Sequence, residues 1–112
     1  DWLFVEDNCR GVDLVLRHGT VGEIYNIGAG NERTNREITD TILAALGKDE
    51  SSVEYVEDRL GHDRRYSIAV TKTADLGWAP QRTFEDAIDD TIRWYLDHEW
   101  WWKPLRARVK NR

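Results

Sequence analysis

The stretch EIYNIGAGNERTN, from Glu23 to Asn35, decides how the chain is read: a short apolar run, a glycine turn, then a polar run ahead of a helix. Nucleotide-binding loops begin in this way. A complete dinucleotide fingerprint, G-x-G-x-x-G, uses its third glycine to bring helix and strand together while the pyrophosphate rests on the helix N-terminus. Gly28 and Gly30 fill the first two places, but Arg33 stands in the third. Two readings of the turn are therefore equally open. The glycines can serve only the backbone geometry of a tight connection. Alternatively, Asn31 and Asn35 flank a helix start whose free N–H groups and dipole favour an anion.

Working outward, helices and strands alternate. Residues 1–5 (DWLFV) read as a strand, and Glu6 to His18 as a helix with Cys9, Val12, Val15 and Leu16 on one face and Gly19 as its stop. Glu23 to Ile27 is a second strand. Thr34-Asn-Arg-Glu37 fits a capping box, in which hydroxyl and carboxylate satisfy each other's free backbone N–H groups. The helix it opens runs to Leu46, with Ile38, Ile42, Ala45 and Leu46 inward and Gly47 at its end. Val53 to Val56 is a third strand, Tyr66 to Val70 a fourth, and Thr71 to Leu76 a short helix. Gly77-Trp-Ala-Pro80 is a turn, after which Thr83 caps a helix carrying Phe84, Ile88, Thr91, Ile92 and Tyr95 at helical spacing. The expected fold class is α/β, in its mixed α+β form. No internal repeat or low-complexity linker marks a second domain.

The composition suits a single small globular unit. A chain of 112 residues, 40% hydrophobic and 33% charged, is expected to bury about 60 to 70% of the surface its unfolded form exposes. The net charge of −5 hides an asymmetry. All 21 acidic residues precede Lys103, but five of the 16 basic ones lie from Lys103 onward, so residues 1–102 carry −10 and the last ten carry +5. An acidic body argues against general nucleic-acid binding, whose affinity comes mostly from neutralised phosphates. The basic tail, residues 103–112, reads as a solvated terminus or as a small anion-binding arm. Cys9 is the only cysteine, which excludes an internal disulfide. Nothing resembles a signal peptide or a span of about 20 apolar residues, so a cytoplasmic protein without membrane partners is expected. His18, His62 and His98 lack the spacing of a metal cage, and no bound metal is expected.

The segment DRLGHDRRY, Asp58 to Tyr66, concentrates three Arg, one His and two Asp around a single Gly. Such a loop can grip an anion: the planar fork of Arg59 matches phosphate oxygens bidentately and His62 adds a directional donor, a pair suited to a diphosphate. The bland reading is a solvated loop whose charges pair with each other.

Taken in order, DWLFVED (residues 1–7), YNIG (25–28), NERTN (31–35), DRLGHDRRY (58–66), LGWAP (76–80) and WYLDHEW (94–100) resemble the C-terminal part of the dTDP-glucose 4,6-dehydratase family, within the extended short-chain dehydrogenase/reductase superfamily. The resemblance covers essentially the whole chain up to the final tail. D-R-x-G-H-D-x-R-Y is its specific motif; Y-N-I-G is shared by many nucleotide-sugar epimerases and dehydratases. Leu60, Phe4 and Asn8 stand where the family usually has Pro, Tyr and His.

The resemblance implies that Asn35, Asp58, Arg59 and His62 bind the nucleotide diphosphate of dTDP-glucose and that Gly28 and Gly30 are structural. It implies a Rossmann-type parent that binds NAD through an N-terminal region absent here. The nearest match to the cofactor motif T-G-x-x-G-x-x-G has Gly19 and Gly22 but Tyr25 in the third place. Tyr25, Tyr55, Tyr66 and Tyr95 are followed four residues on by Ala29, Arg59, Val70 and Glu99, so no Tyr-x-x-x-Lys pair exists. The chain is thus expected to be a part of a longer lyase: residues 1–102 as the sugar-nucleotide-binding region, no catalytic residue, a homodimer in the parent. On this view the faces carrying Cys9, Val12, Leu16 and Ile27 pack on the cofactor region and are uncovered in the chain alone. Other readings are a related epimerase or decarboxylase, a stand-alone nucleotide-binding module, or an interaction domain using Trp100, Trp101 and Trp102.

Overall fold

A computed structural model describes residues 1–110. Among the described residues five helices follow one another: α1 (Val5–His18), α2 (Asn35–Ala45), α3 (Thr71–Asp75), α4 (Phe84–Asp97) and α5 (Glu99–Lys110), with a 3-10 turn at Glu50–Ser52. The local start signals operate as expected. The Thr34 hydroxyl accepts from the Glu37 N–H while the Glu37 carboxylate accepts from the Thr34 N–H at 2.7 Å, a complete capping box. Thr83 accepts from the Asp86 N–H at 3.1 Å and opens α4.

None of the four expected strands forms among the described residues, so the mixed α/β class is not confirmed and the described chain is helical. The segments 1–4, 23–29, 53–57 and 66–69 contain no helix, and they join their neighbours by side chains and single backbone bonds rather than by a ladder. Asn26 Nδ2 donates to the Ala69 carbonyl at 3.0 Å, and the buried Thr73 hydroxyl donates to the Asn26 carbonyl. A strand exists only through a run of a partner's backbone groups, and among the described residues single bonds such as that of the Trp2 N–H to Asn31 O do not extend into one. The apolar alternation is nonetheless there, and it lies open: Ile24, Tyr55, Val56 and Ile68 are all exposed.

The core is small. Among the described residues Ile38, Trp78 and Ala87 are its buried apolar ones; α2, which carries Ile38, packs on α4, which carries Ala87, while Trp78 lies against α1. The chain exposes 9297 Å², against about 6,400 Å² for a compact monomer of its mass. Its radius of gyration is 17.1 Å, against about 13 Å for a compact chain of this length. The expected burial is therefore not reached.

On α1 the inward face differs from the expected one. Asp7 and Gly11 are buried, Val15 is half-buried, and Cys9, Val12 and Leu16 face outward. The cause is Gly11. A Cβ there would lie 2.7 Å from Ile27 Cγ2 and 3.0 Å from Trp78 Nε1, so only glycine lets α1 approach the turn at 77–80 this closely. That contact half-buries Ile27, whereas Cys9, Val12 and Leu16 are uncovered as anticipated.

Across the contact, the Asp7 carboxylate, 1% exposed, accepts from the backbone N–H groups of Gln81 (2.9 Å) and Arg82 (3.3 Å) and from the Arg10 guanidinium. The Trp78 indole donates to the Asp7 carbonyl at 3.2 Å. Arg82 then pairs with Asp90 on α4 at 2.7 Å, which extends the chain of contacts from α1 to α4.

At the other end, α5 carries the Trp cluster and residues 103–110 of the basic tail on one helix, with Pro104 in its second turn. His98 stacks on Trp94 at 4.6 Å and Trp102 donates to the Tyr95 carbonyl at 2.8 Å, fixing α5 against the end of α4. No helix is long and apolar enough to cross a membrane, and no group of three or more His, Cys, Asp and Glu among the described residues could hold a metal.

Two outcomes are expected. Burial pushes the Asp7 carboxyl upward, but the bonds from Gln81, Arg10 and Arg82 outweigh it and hold the group below the ordinary aspartate range. A carboxyl depressed by folding contributes stability that is fully present above its unfolded pKa, about 3.9, and lost as pH falls through its lower folded value. Urea unfolding should therefore lose stability below about pH 4, and Asp7→Ala should cost roughly 3 kcal/mol at neutral pH by stranding two buried N–H groups. Residues 1–112 expressed alone should self-associate through the uncovered apolar surface, as sedimentation velocity would show.

Candidate functional site

The glycine turn is occupied from within the chain. The Asp1 carboxylate accepts from the backbone N–H groups of Ala29 (3.2 Å) and Asn31 (3.0 Å), the donors that a bound phosphate would otherwise use. Gly28 is buried because this carboxylate and Ile68 fill the place of its side chain. Gly30 turns at φ +70° into open space. The turn therefore serves structure, and these residues do not fit the pyrophosphate of a dinucleotide such as NAD.

The same contact builds a cleft. With its carboxylate in the turn, Asp1 donates its backbone nitrogen to the Tyr66 carbonyl at 3.0 Å, which draws the loop 58–66 alongside. Trp2 is tied on three sides: its N–H donates to Asn31 O (3.1 Å), its carbonyl accepts from Asn31 Nδ2 (3.3 Å), and its indole donates to Arg33 O (3.1 Å). Between loop and turn lies a cleft of about 750 Å³, lined among others by Trp2, Arg33, Asn35, His62, Arg64 and Tyr66.

Its electrostatics follow from which charges are already paired. Glu32 is bound twice by Arg65 (2.7 and 2.8 Å) and once by the Ser67 hydroxyl (2.8 Å), which lowers its carboxyl to about 2. Glu37 is held below the ordinary range by the backbone and hydroxyl of Thr34 in the capping box. Arg33 lies over the Phe84 ring at 5.0 Å and pairs with Glu85 at 3.0 Å. Within the loop, Asp58 pairs with His62 at 2.8 Å, and Asp63 pushes the Tyr66 phenol up. Among the described residues, neither Arg59 nor Arg64 has a carboxylate partner within 4.0 Å, whereas Arg65 has one. The loop is thus only partly self-neutralised. Two guanidinium groups of the loop remain uncommitted, and Arg64 lines the cleft with the first turn of α2, where the capping box leaves the Asn35 and Arg36 N–H groups without helical acceptors. Such a place binds a multiply charged anion.

Of the residues singled out in the sequence, Asn35 and His62 meet in the cleft. Asp58 and Arg59 sit on the same loop outside the lining, Asp58 behind His62 and Arg59 with its guanidinium exposed. The sequence reading missed Trp2, Arg33 and Arg64 as cleft residues. Arg64 belonged to the quoted loop, and Arg33 had been noticed only as the residue that spoils the glycine fingerprint; nothing in the local pattern marks Trp2.

The profile of a family described as GDP-mannose 4,6 dehydratase matches residues 1–91. A dTDP-glucose 4,6-dehydratase of Streptomyces antibioticus is 50% identical over 109 residues, covering 96% of this chain and 32% of the relative. The low-salt glycan biosynthesis protein Agl12 of Haloferax volcanii is 52% identical over 96 residues, covering 86% and 31%. In structure, the chain is similar to DesIV, a dTDP-glucose 4,6-dehydratase of Streptomyces venezuelae crystallised with NAD, at a TM-score of 0.88, 50% identity, 94% coverage of this chain and 33% of that one. The chain spans about a third of the length of the proteins it matches.

Because the Asp1 carboxylate fills the place of a side chain at residue 28, Gly28→Ala should lower both the urea midpoint and the affinity for inorganic diphosphate. Gly30→Ala has open space around it and strains only a left-handed backbone; it should cost about 1 kcal/mol and leave diphosphate affinity unchanged in calorimetry.

Proposed function

The chain belongs to the GDP-mannose 4,6 dehydratase family, and from that premise we propose that it is the C-terminal, substrate-binding third of a dTDP-glucose 4,6-dehydratase. One observation carries the reading: a cleft that holds Asn35, His62 and Arg64 together, next to a loop with uncommitted guanidinium groups. The occupant is the diphosphate of dTDP-glucose, held by Asn35, Arg59 and His62 with Arg64. Residues 1–102 form the sugar-nucleotide-binding region and 103–112 a basic tail.

The reaction of the whole protein is the conversion of dTDP-glucose to dTDP-4-keto-6-deoxyglucose and water, a lyase step serving nucleotide-sugar and dTDP-rhamnose synthesis in the cytoplasm. NAD, held by the remaining two thirds of a Rossmann-type homodimer, supplies a transient hydride acceptor. The residues described here hold and orient. A diphosphate fixed far from the reacting carbons places the glucosyl ring, and positioning of this kind lowers barriers by several kcal/mol. The uncovered faces of α1 and of the extended segments are where the remainder of the protein packs. The excess of exposed surface and the extended segments without a ladder support that assignment.

In the full-length protein, Arg59→Ala should weaken dTDP binding by about 2 to 4 kcal/mol, and Arg59→Lys should also lose affinity because a point charge cannot replace the fork. Titration calorimetry with dTDP checks both. Unchanged affinity in Arg59→Ala together with Arg64→Ala would sink the assignment.

A further inference from the structure

The loop 58–66 contains a carboxylate that the cleft does not use directly. Asp58 Oδ1 lies 2.8 Å from His62 Nδ1. The Asp58 side chain is 81% exposed and stands outside the cleft lining, while the His62 side chain is 28% exposed and lines it. The two therefore face opposite ways, the acid toward solvent and the imidazole toward the cleft.

We propose that Asp58 is a positioning residue that acts through His62, fixing the ring so that Nε2 is the atom offered to the bound nucleotide. This rests on the reading of the cleft as a diphosphate site and assigns a role within it. Ionised carboxylate oxygens only accept hydrogen bonds, and the depressed Asp58 carboxyl is ionised at neutral pH. Nδ1 must therefore carry the hydrogen in this pair, which leaves Nε2 as the one ring nitrogen free to meet a ligand; because phosphate oxygens only accept, the form of the ring that binds is the imidazolium, with a hydrogen on each nitrogen. The support is rigid. The same Oδ1 accepts from the Arg59 N–H at 2.8 Å, and the His62 N–H donates back to the Arg59 carbonyl at 3.2 Å. Gly61 makes the turn at φ +71°, a conformation open to glycine at little cost. Asp58, Arg59 and His62 thus close one small hydrogen-bonded unit, in which the carboxylate is spent on the loop rather than on an anion it would repel. The geometry is that of metal-binding and catalytic histidines whose second nitrogen is held by a carboxylate.

The test uses the full-length protein, with dTDP and inorganic diphosphate as probes in calorimetry and cooperative urea unfolding as the check on folding. A Gln side chain places its amide nitrogen near the position of Nε2, and an Asn side chain near that of Nδ1. His62→Gln should keep dTDP affinity within about threefold, whereas His62→Asn should lose about tenfold more, the worth of one charge-assisted hydrogen bond. Asp58→Ala should lose about tenfold, and Asp58→Asn, whose amide oxygen still accepts from Nδ1, should recover most of it. In the His62→Gln background Asp58→Ala should have no further effect, because the two residues act as one unit. Independent losses that add in the double variant, or an Asn variant binding as well as the Gln variant, overturn the inference while leaving the cleft assignment standing. Wild-type protein that binds neither probe overturns both.

Discussion

The carboxylate of Asp1, received by two backbone N–H groups of the glycine turn, is the interaction on which the cleft depends. It places a negative charge where a nucleotide-binding turn would hold phosphate, and so converts a ligand loop into a joint. From that joint three things follow in space: the backbone of residue 1 reaches Tyr66, the indole of Trp2 is tied to the turn and to Arg33, and α2 starts beside the loop with Asn35 toward it. The proposed anion site lies beside the first turn of α2 rather than at the glycine motif.

A second buried carboxylate, Asp7, does for the helices what Asp1 does for the cleft. It gathers α1, the Trp78 turn and the approach to α4 about one group whose acceptors are all used. Both are acids holding backbone donors. The resulting frame is open: few apolar side chains are fully covered, and the surface exceeds what a compact chain of this mass presents. Coverage by the rest of a longer protein accounts for exposed Val12, Leu16, Ile24 and Val56 more simply than independent stability does.

What was legible in the sequence is what is decided over a few residues. The capping box at Thr34 to Glu37 and the Thr83 cap need only their own neighbours, and each is found as read; α2 ends at Ala45, one residue before the expected Leu46. Strands were misread because alternation at Tyr66 to Val70 reports a side-chain environment, whereas pairing requires another backbone at the right distance. On α1, hydrophobic spacing points to Cys9, Val12, Val15 and Leu16 as the packing face, but it does not register how close a neighbour can come; Gly11 lets the helix in on its other side. Nothing local marks Asp7 for burial, because its acceptor role is filled by N–H groups 74 and 75 residues away. In the cleft, Asn35 and His62 were legible from residue chemistry at a helix start and in a charged loop. Asp58 was grouped with the ligand contacts because composition cannot tell a residue that meets a ligand from one that holds its neighbour.

The long reach of the Asp7 contacts bears on the order in which the chain acquires its form. α4, with its own cap and a periodic face, forms from neighbours within microseconds, as isolated helices do. The junction of α1 with residues 78–82 spans over seventy residues, so its closure entropy must be met before any of its bonds is gained. During synthesis α1 leaves the ribosome long before Gln81 and Arg82 exist, and at roughly 5 to 20 residues per second it waits several seconds with Asp7 unpaired. For that interval the first helix of the chain has only the segment around Tyr25 and Ile27 to pack on, and its apolar side at Val12 and Leu16 stays open to other surfaces.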